Sequence, residues 1–413
     1  MPPAQLALLP EDTSLDDWIA ELVARQPEGC ALLQEFYSDP AIYERDIERI
    51  FMRRWLLVGH ESRAAAPGDW FLFEFAGESV IIVRGKDGSL RALMNVCRHR
   101  GSHVCYEKEG NAKQFVCPYH AWSYDLDGTL KAARHMAKEI DKEAFGLKPI
   151  ALRAIEGLVF VNFSDDPIAT TELERNLHAS LRPYVSKGAK IAARESFTFK
   201  ANWKLAVENY IECYHCRSAH PEYAELHANE LRDGDDKLVA LNHVMDRRAG
   251  QFGVDIPASD HWATPTISGE EGTLTFRYAL YEGFLTGSEG GKPVAPLMGD
   301  FTDYDLGVTY IHVGATCFLI VYPDYVVLFR FLPVSADETE LELIWLVHPD
   351  AKADRDYKPG ALTWLWNVTS IADKKIVEHN QQGVDSRFYE PGPYTPMEAD
   401  AIRMCAWYLN EIR

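Results

Sequence analysis

Cysteine is scarce, at 8 in 413 residues, and basic charge is in deficit: 42 Lys and Arg stand against 62 Asp and Glu, a formal net charge of −20. So few cysteines cannot build a disulfide scaffold. The acidic balance leaves nothing to neutralise phosphates, so neither nucleic acid nor an anionic membrane surface is an expected partner. Long apolar runs are also missing. Residues 316–334 come nearest, but Pro323, Asp324 and Arg330 interrupt them. A charge at bilayer depth costs roughly 2.5 kcal/mol or more, so this stretch reads as two buried strands. The start, MPPAQLALLPEDTSLDDW, turns acidic by residue 11 and lacks the basic-then-apolar pattern of a leader, which makes the cytoplasm the expected compartment. There is no internal repeat, no low-complexity tract and no G-x-G-x-x-G opening a helix after a strand. The chain therefore shows no nucleotide-binding fingerprint of its own, and any reducing equivalents must arrive from outside. What remains is 47% apolar and 25% charged residues, an ordinary globular composition for two or three domains.

The pattern of those residues changes along the chain. Residues 39–55 place Ile42, Ile47, Ile50, Phe51 and Trp55 at three- to five-residue spacing among charges, which predicts an amphipathic helix. From residue 70 to about 163, short apolar runs alternate with Gly and Asp-Gly turns, the signature of β-hairpins in a small all-β domain. Beyond residue 165 the patterns mix. TELERNLHASLRPYV and NWKLAVENYIECYHC read as helices, whereas residues 273–283, 308–322, 325–333 and 340–347 read as strands of one antiparallel sheet. LTWLWNVTSIADKKIVEHNQQG predicts a long helix ended by Gly383. In the last segment Thr395, Pro396 and Glu398 form a capping-box start, with Ile402, Cys405, Ala406 and Leu409 on the expected apolar face. The expectation is an α+β chain: an all-β domain over residues 45–160, and a helix-on-antiparallel-sheet domain built from residues 1–44 and 161–413.

Two groups of residues carry chemistry. In the β domain, Cys97-Arg98-His99 is followed seventeen residues later by Cys117-Pro118-Tyr119-His120. Each short pair brings two ligand atoms to one loop tip, and two such loops can close on a metal centre. Zinc is one occupant such loops accept. One Cys and one His per loop, however, suits a two-iron cluster with both thiolates on one iron and both imidazoles on the other. The second group is NWKLAVENYIECYHCRSAHPEY, which carries His215 and His220. Five positions apart they would sit about 140° around a continuous helix. Pro221 disfavours helix at His220, so the chain is expected to turn there and let the rings converge. Two imidazoles and one carboxylate with open positions form the facial triad of non-haem iron oxygenases, but spacing alone does not identify the carboxylate. Cys213, His215, Cys216 and His220 cannot all converge on a zinc ion from within eight helical residues.

The flanks NVCRHRGSHVC and VCPYHAWSYDLDGTL, with Arg100, Gly101, Trp122, Tyr124 and Gly128, resemble the Rieske [2Fe–2S] domains of ring-hydroxylating oxygenases. E-N-Y-x-E-C-Y-H-x4-H-P independently resembles the mononuclear iron motif of the same family. The resemblance runs from about residue 36 to 413. It implies cluster ligands Cys97, His99, Cys117 and His120, iron ligands His215, His220 and Asp373, and a catalytic bridging role for Glu212 between the iron of one subunit and the cluster of the next. Most ring dihydroxylases have Asp at that place; Glu points toward the subgroup acting on quaternary amines, such as glycine betaine, stachydrine and carnitine. It further implies a homotrimer, dioxygen as co-substrate, and electrons from NAD(P)H through a separate flavin/iron–sulfur reductase or a ferredoxin. The reaction expected is hydroxylation of an N-methyl or C–H group of a quaternary or tertiary amine, with demethylation and release of formaldehyde. The alternative is an aromatic mono- or dioxygenase or O-demethylase. For the substrate, Phe301, Tyr304 and Tyr310 with Asp300, Asp303 and Asp305 in GDFTDYDLGVTY are a candidate cation cage or lid, the alternative being an acidic surface loop with core aromatics. The six cysteines outside the cluster set have no such ligand partners and are expected to be structural, with Cys30, Cys317 and Cys405 buried as small apolar residues.

Overall fold

The computed structural model describes residues 9–413 except 11, 138–140, 229–230, 232–234, 255 and 257–270. The chain divides into two compact units. One is a continuous insertion, Met52–Pro167, and the other joins Met1–Phe51 to Ile168–Arg413.

The inserted unit is all-β, as its hairpin punctuation predicts. A seven-stranded sheet runs in the order Leu56–His60, Leu158–Asn162, Pro149–Ile155, Leu90–Met94, Glu78–Arg84, Asp69–Phe75 and Glu109–Asn111. A smaller sheet pairs Phe115–Val116, Ser123–Tyr124 and Leu130–Ala132. Asp-Gly turns lie where the chain reverses. At Gly128, φ is +90°, and a Cβ there would lie 2.9 Å from a Leu93 methyl, so both backbone and space require glycine.

The larger unit is α+β. Its sheet has six strands in the order Lys190–Phe199, Glu338–Val347, Val326–Ser335, Cys317–Val321, Gly307–Val313 and Thr273–Ala279, all neighbours antiparallel. The run 308–322 is thus two strands joined by a tight turn, and Lys190–Phe199 is a sixth strand outside the expected set. Pairing Phe276 with Tyr310, and Phe318 with Phe329, stacks aromatic side chains on one face of this sheet. The helices Trp203–Tyr210 and Pro359–Val384 contribute to the same apolar layer, through contacts such as Tyr210 with Phe329 and Trp366 with Phe329.

The N-terminal segment completes this unit. The expected helix over 39–55 is an α-helix, Pro40–Asp46, continued by a π-turn, Ile47–Phe51. Asp46 is fully buried and accepts from Lys204 Nζ, from Trp203 Nε1 at 2.9 Å and from Tyr408 OH at 2.8 Å. A buried ion pair is tolerated when its remaining lone pairs are satisfied in this way, and here it ties distant chain segments to the helix carrying the ENY motif. Two helical expectations need correction. The long helix starts at Pro359 and ends at Val384, enclosing Gly383 in its last turn. In the C-terminal helix, Ala399–Glu411, the capping box at Thr395 and Glu398 forms, but the buried face is Ala401, Met404, Cys405 and Tyr408. Ala406 is exposed.

Candidate metal centres

In the inserted unit both Cys–His pairs sit on tight turns. The Cys97 carbonyl accepts from Gly101 N–H at 2.9 Å, and the Cys117 carbonyl accepts from Ala121 N–H at 3.0 Å. Gly101 (φ +79°) and Ala121 (φ +58°) both adopt left-handed backbone to close them. Cys97 and Cys117 are buried, unbonded and facing each other, whereas His120 is exposed and His99 half-buried. The two Nδ1 atoms lie 3.2 Å apart. Sulfur donors inside and nitrogen donors at the rim give one thiolate pair and one imidazole pair, the donor set of a cluster with chemically distinct irons.

Trp122 stacks under His99 with centroids 4.8 Å apart, which fixes the ring plane. Tyr124 OH accepts from Arg98 N–H at 3.1 Å, leaving its own proton for Cys97 Sγ at 3.2 Å. Such a bond to a ligating sulfur tunes a cluster's potential. In the sequence these two aromatics are visible only as parts of a matching pattern.

In the larger unit the helix Trp203–Tyr210 is capped by Asn202 and stops at Ile211. A new turn of helix, Cys216–Ala219, starts only after His215. Glu212 and His215 therefore occupy a bend, where the pattern of NWKLAVENYIECYHC predicts helix throughout. The bend still joins them: Glu212 accepts from His215 Nδ1, from the Tyr214 backbone N–H, and from the His215 N–H at 3.3 Å. His220, with φ −131° and ψ 66°, breaks the helix before Pro221, as the Pro rule predicts. Asp373, midway along Pro359–Val384, meets both rings: its Oδ1 is 2.7 Å from His220 Nε2 and 3.4 Å from His215 Nε2. The donor atoms of His215, His220 and Asp373 all lie within 4.8 Å of one another.

Burial alone would lift the Asp373 carboxyl, but the two imidazoles hold it below its usual range. Burial likewise opposes charge on His215, yet Asp373 and Glu212 outweigh it and push His215 up to about 9. A carboxylate clamped between two imidazoles, one of them holding a proton that a metal could displace, fits a divalent iron with positions to spare.

These residues open onto a cavity whose space, its open mouth included, is about 570 Å³. Six aromatics line it: Tyr210, Tyr223, Tyr278, Tyr310, Phe329 and Trp366. The only charged groups among its described lining residues are the carboxylates Glu212 and Asp373 and the histidines. The Tyr210 hydroxyl is buried without a hydrogen-bond partner among the described residues, while Tyr223 OH and Tyr278 OH bond to each other at 2.9 Å. Burial raises Tyr210, Tyr278 and Tyr310 well above the ordinary phenol range, so these three stay neutral. Of the expected cage in residues 299–310, only Tyr310 reaches this cavity. Phe301 stacks on Tyr184, Asp303 pairs with Arg248 at 2.7 Å, and Asp305 is consumed in a fully buried ion pair with Arg277.

The cysteine expectation also changes. Cys213 and Cys216 are joined in a disulfide, a pairing that the sequence reading does not include. Cys317 and Cys405 are buried as expected, but Cys30 is only half-buried.

Comparison with known proteins agrees with the two-unit organisation. Residues 54–152 match the Rieske [2Fe-2S] domain, and residues 186–413 match the ring hydroxylating alpha subunit catalytic domain. The chain belongs to the Rieske non-haem iron oxygenase family, as a ring-hydroxylating-type alpha subunit. It is 34% identical over 403 residues to the glycine betaine monooxygenase oxygenase subunit of Chromohalobacter salexigens, covering 95% of this chain and 88% of that protein. It is 30% identical to the carnitine monooxygenase oxygenase subunit of Acinetobacter pittii, covering 86% and 85%. A solved quaternary ammonium Rieske monooxygenase, described for carnitine oxidation by gut microbiota and inter-subunit electron transfer, matches with a TM-score of 0.70 at 25% identity, over 98% of this chain and 99% of that one. The enzyme is thus an oxygenase using a Rieske [2Fe–2S] cluster and mononuclear iron. As an oxygenase subunit it works with a separate electron donor. Among the described residues no helix is long and apolar enough to cross a membrane.

Proposed function

We propose that the enzyme hydroxylates an N-methyl carbon of a quaternary or tertiary amine, with His215, His220 and Asp373 holding the iron and Cys97, His99, Cys117 and His120 holding the cluster. The observation that carries the substrate reading is the cavity: six aromatic faces, two carboxylates and no lysine or arginine among its described lining residues. A permanent cation gains roughly 0.5–2 kcal/mol from each aromatic face it meets when desolvated. The names of the relatives point to the same substrate class.

When bound, the cluster supplies single electrons and the iron a place to activate dioxygen. The residues of the chain do the rest. Tyr210, Tyr223 and Trp366 seat the ammonium group so that a methyl carbon faces the triad, and the apolar wall of Ile320 and Phe329 keeps water from it. Glu212 fixes the His215 ring by accepting from Nδ1, which leaves Nε2 as the ligand atom. In the overall change one methyl C–H bond becomes C–OH. Dioxygen, two electrons and two protons are consumed, one oxygen atom enters the substrate and the other leaves as water. The hydroxymethyl ammonium product then loses formaldehyde and a proton to leave the demethylated amine. Electrons come from NAD(P)H through a reductase or ferredoxin. In a head-to-tail homotrimer in the cytoplasm, Glu212 would bridge His215 to the cluster that the neighbouring subunit would hold.

The test is NADH-coupled oxygen consumption with a compatible reductase over methylated amines, with and without a carboxylate, and aromatic acids. Formaldehyde in step with oxygen uptake is expected for an N-methyl compound. Diol or phenol from an arene, with no formaldehyde from any amine, would establish the aromatic oxygenase reading instead.

A further inference from the structure

We propose that Cys213 and Cys216 are a reversible dithiol–disulfide couple, oxidised by peroxide formed in the cavity, whose closure clamps the iron ligand His215. The idea rests on the assignment of His215 as a ligand above.

Three observations meet at this place. Cys213-Tyr214-His215-Cys216 is a C-x-x-C sequence that encloses His215, and its sulfurs are bonded across a Cα separation of 5.0 Å, inside the range a disulfide spans without moving backbone. None of the other six cysteines is in a disulfide. Both bonded residues line the cavity that holds the triad. Finally, the segment they close is a bend between helices: one ends at Tyr210 and the next begins at Cys216, and the bend carries the Glu212 bonds, a Cys216 N–H to Cys213 carbonyl bond at 3.4 Å, and bonds at 3.0 Å from the Ser218 and Ala219 N–H groups to the His215 carbonyl.

In a compartment that keeps thiols reduced, a C-x-x-C pair rests as the dithiol and oxidises when an oxidant reaches it. Two-electron reduction of dioxygen at an oxygenase without insertion into substrate gives hydrogen peroxide. Released in this cavity, the peroxide meets the two sulfurs that line it. The step balances as 2 RSH + H2O2 → RSSR + 2 H2O: one thiol attacks, the O–O bond breaks, and the second thiol displaces water from the sulfenic intermediate. A dithiol reductant reverses it by exchange through a mixed disulfide. The closed ring keeps the bend in one arrangement, and in that arrangement His215 Nε2 already points at Asp373. Metal should therefore leave the oxidised form more slowly. Peroxide from uncoupled turnover would tighten the site while consuming the oxidant beside it.

The test uses the holoenzyme. After reduction with dithiothreitol and anaerobic desalting, stoichiometric peroxide is added, thiols are alkylated and peptides mapped. Cys213 and Cys216 should lose alkylation together and regain it after dithiothreitol, while the half-buried Cys30 stays alkylatable. Iron release to an Fe(II) chelator, with the cluster absorbance followed separately, should be roughly tenfold slower from the oxidised form. This comparison needs no variant. The Cys213→Ser, Cys216→Ser double variant should release iron at the faster rate whether or not peroxide is given, its fold being checked by the cluster spectrum. Cysteines still alkylatable after peroxide, or equal release rates in the two thiol states, would overturn the proposal. A protein taking up cluster iron but no further iron in either state would instead remove the ligand assignment beneath it.

Discussion

Tyr210 has its ring in the cavity and its hydroxyl unpartnered among the described residues, so its contribution to substrate binding comes from the aromatic face. Tyr210→Ala should raise KM for the cationic substrate roughly 3- to 30-fold, the equivalent of one cation–π contact. Tyr210→Phe should stay near the parent. Equal KM values in all three would remove the ring from recognition. Glu208, on the same helix, serves the fold instead: it is buried and accepts from Tyr37 OH at 2.9 Å and Tyr394 OH at 3.1 Å. Burial outweighs both bonds and lifts its carboxyl from 4.5 to about 7. The folded state thus holds this proton more tightly than the unfolded chain. The resulting stability is fully present below about pH 4.5 and is lost as pH rises through about 7, a change of up to about 3 kcal/mol. Glu208→Gln, always neutral, should gain on the parent by that order between about pH 4.5 and 8 in urea unfolding. A difference between the two proteins that stays constant with pH would show that Glu208 does not titrate in this range.

At the scale of elements, the proposed iron ligands come from three pieces: the bend after Trp203–Tyr210, the break at His220, and the middle of Pro359–Val384. His215→Ala or Asp373→Ala should keep the cluster's reduced-state EPR signal and abolish turnover, since the proposed cluster ligands belong to the other unit of the chain. Normal product formation in either variant would strike that residue from the ligand set. The two Cys–His pairs and the two histidines were legible in the sequence because each pair is local and its spacing sets its geometry. Asp373 lies 153 residues beyond His220, so only the family pattern could name it. The cavity walls were mostly illegible for the same reason: Tyr223, Tyr278, Phe329 and Trp366 come from four separate elements and each looks like an ordinary core aromatic. The acidic aromatic segment at 299–310 stayed open between cage and loop because composition cannot tell a solvent-facing Asp from one like Asp305, buried against Arg277. Strand Lys190–Phe199 escaped notice because it is half-exposed and polar, lying at the edge of the sheet.

For the whole molecule, the decisive question is the electron's route. Glu212→Gln should leave both metals bound and slow single-turnover transfer between them; an unchanged rate would count against the bridge. If transfer crosses subunits, a Cys117→Ala variant and a His215→Ala variant, each inactive, should regain part of the activity when co-assembled, because one supplies iron sites and the other clusters. No recovery in mixed oligomers would confine transfer to a single chain.

The insertion of Met52–Pro167 between two parts of one unit also has a consequence for how the protein is made. Helix residues Tyr37 and Asp46 leave the ribosome early, yet their partners follow much later: Glu208 comes 171 residues after Tyr37, and Lys204 and Tyr408 come 158 and 362 residues after Asp46. The β unit has all of its strands within its own span and can close while the rest is still being translated. Tyr37 must wait for Glu208, and Asp46 is fully partnered only when the last helix is released. A nascent chain stalled near residue 200 should therefore already protect the β unit from protease and leave the N-terminal helices open to cleavage.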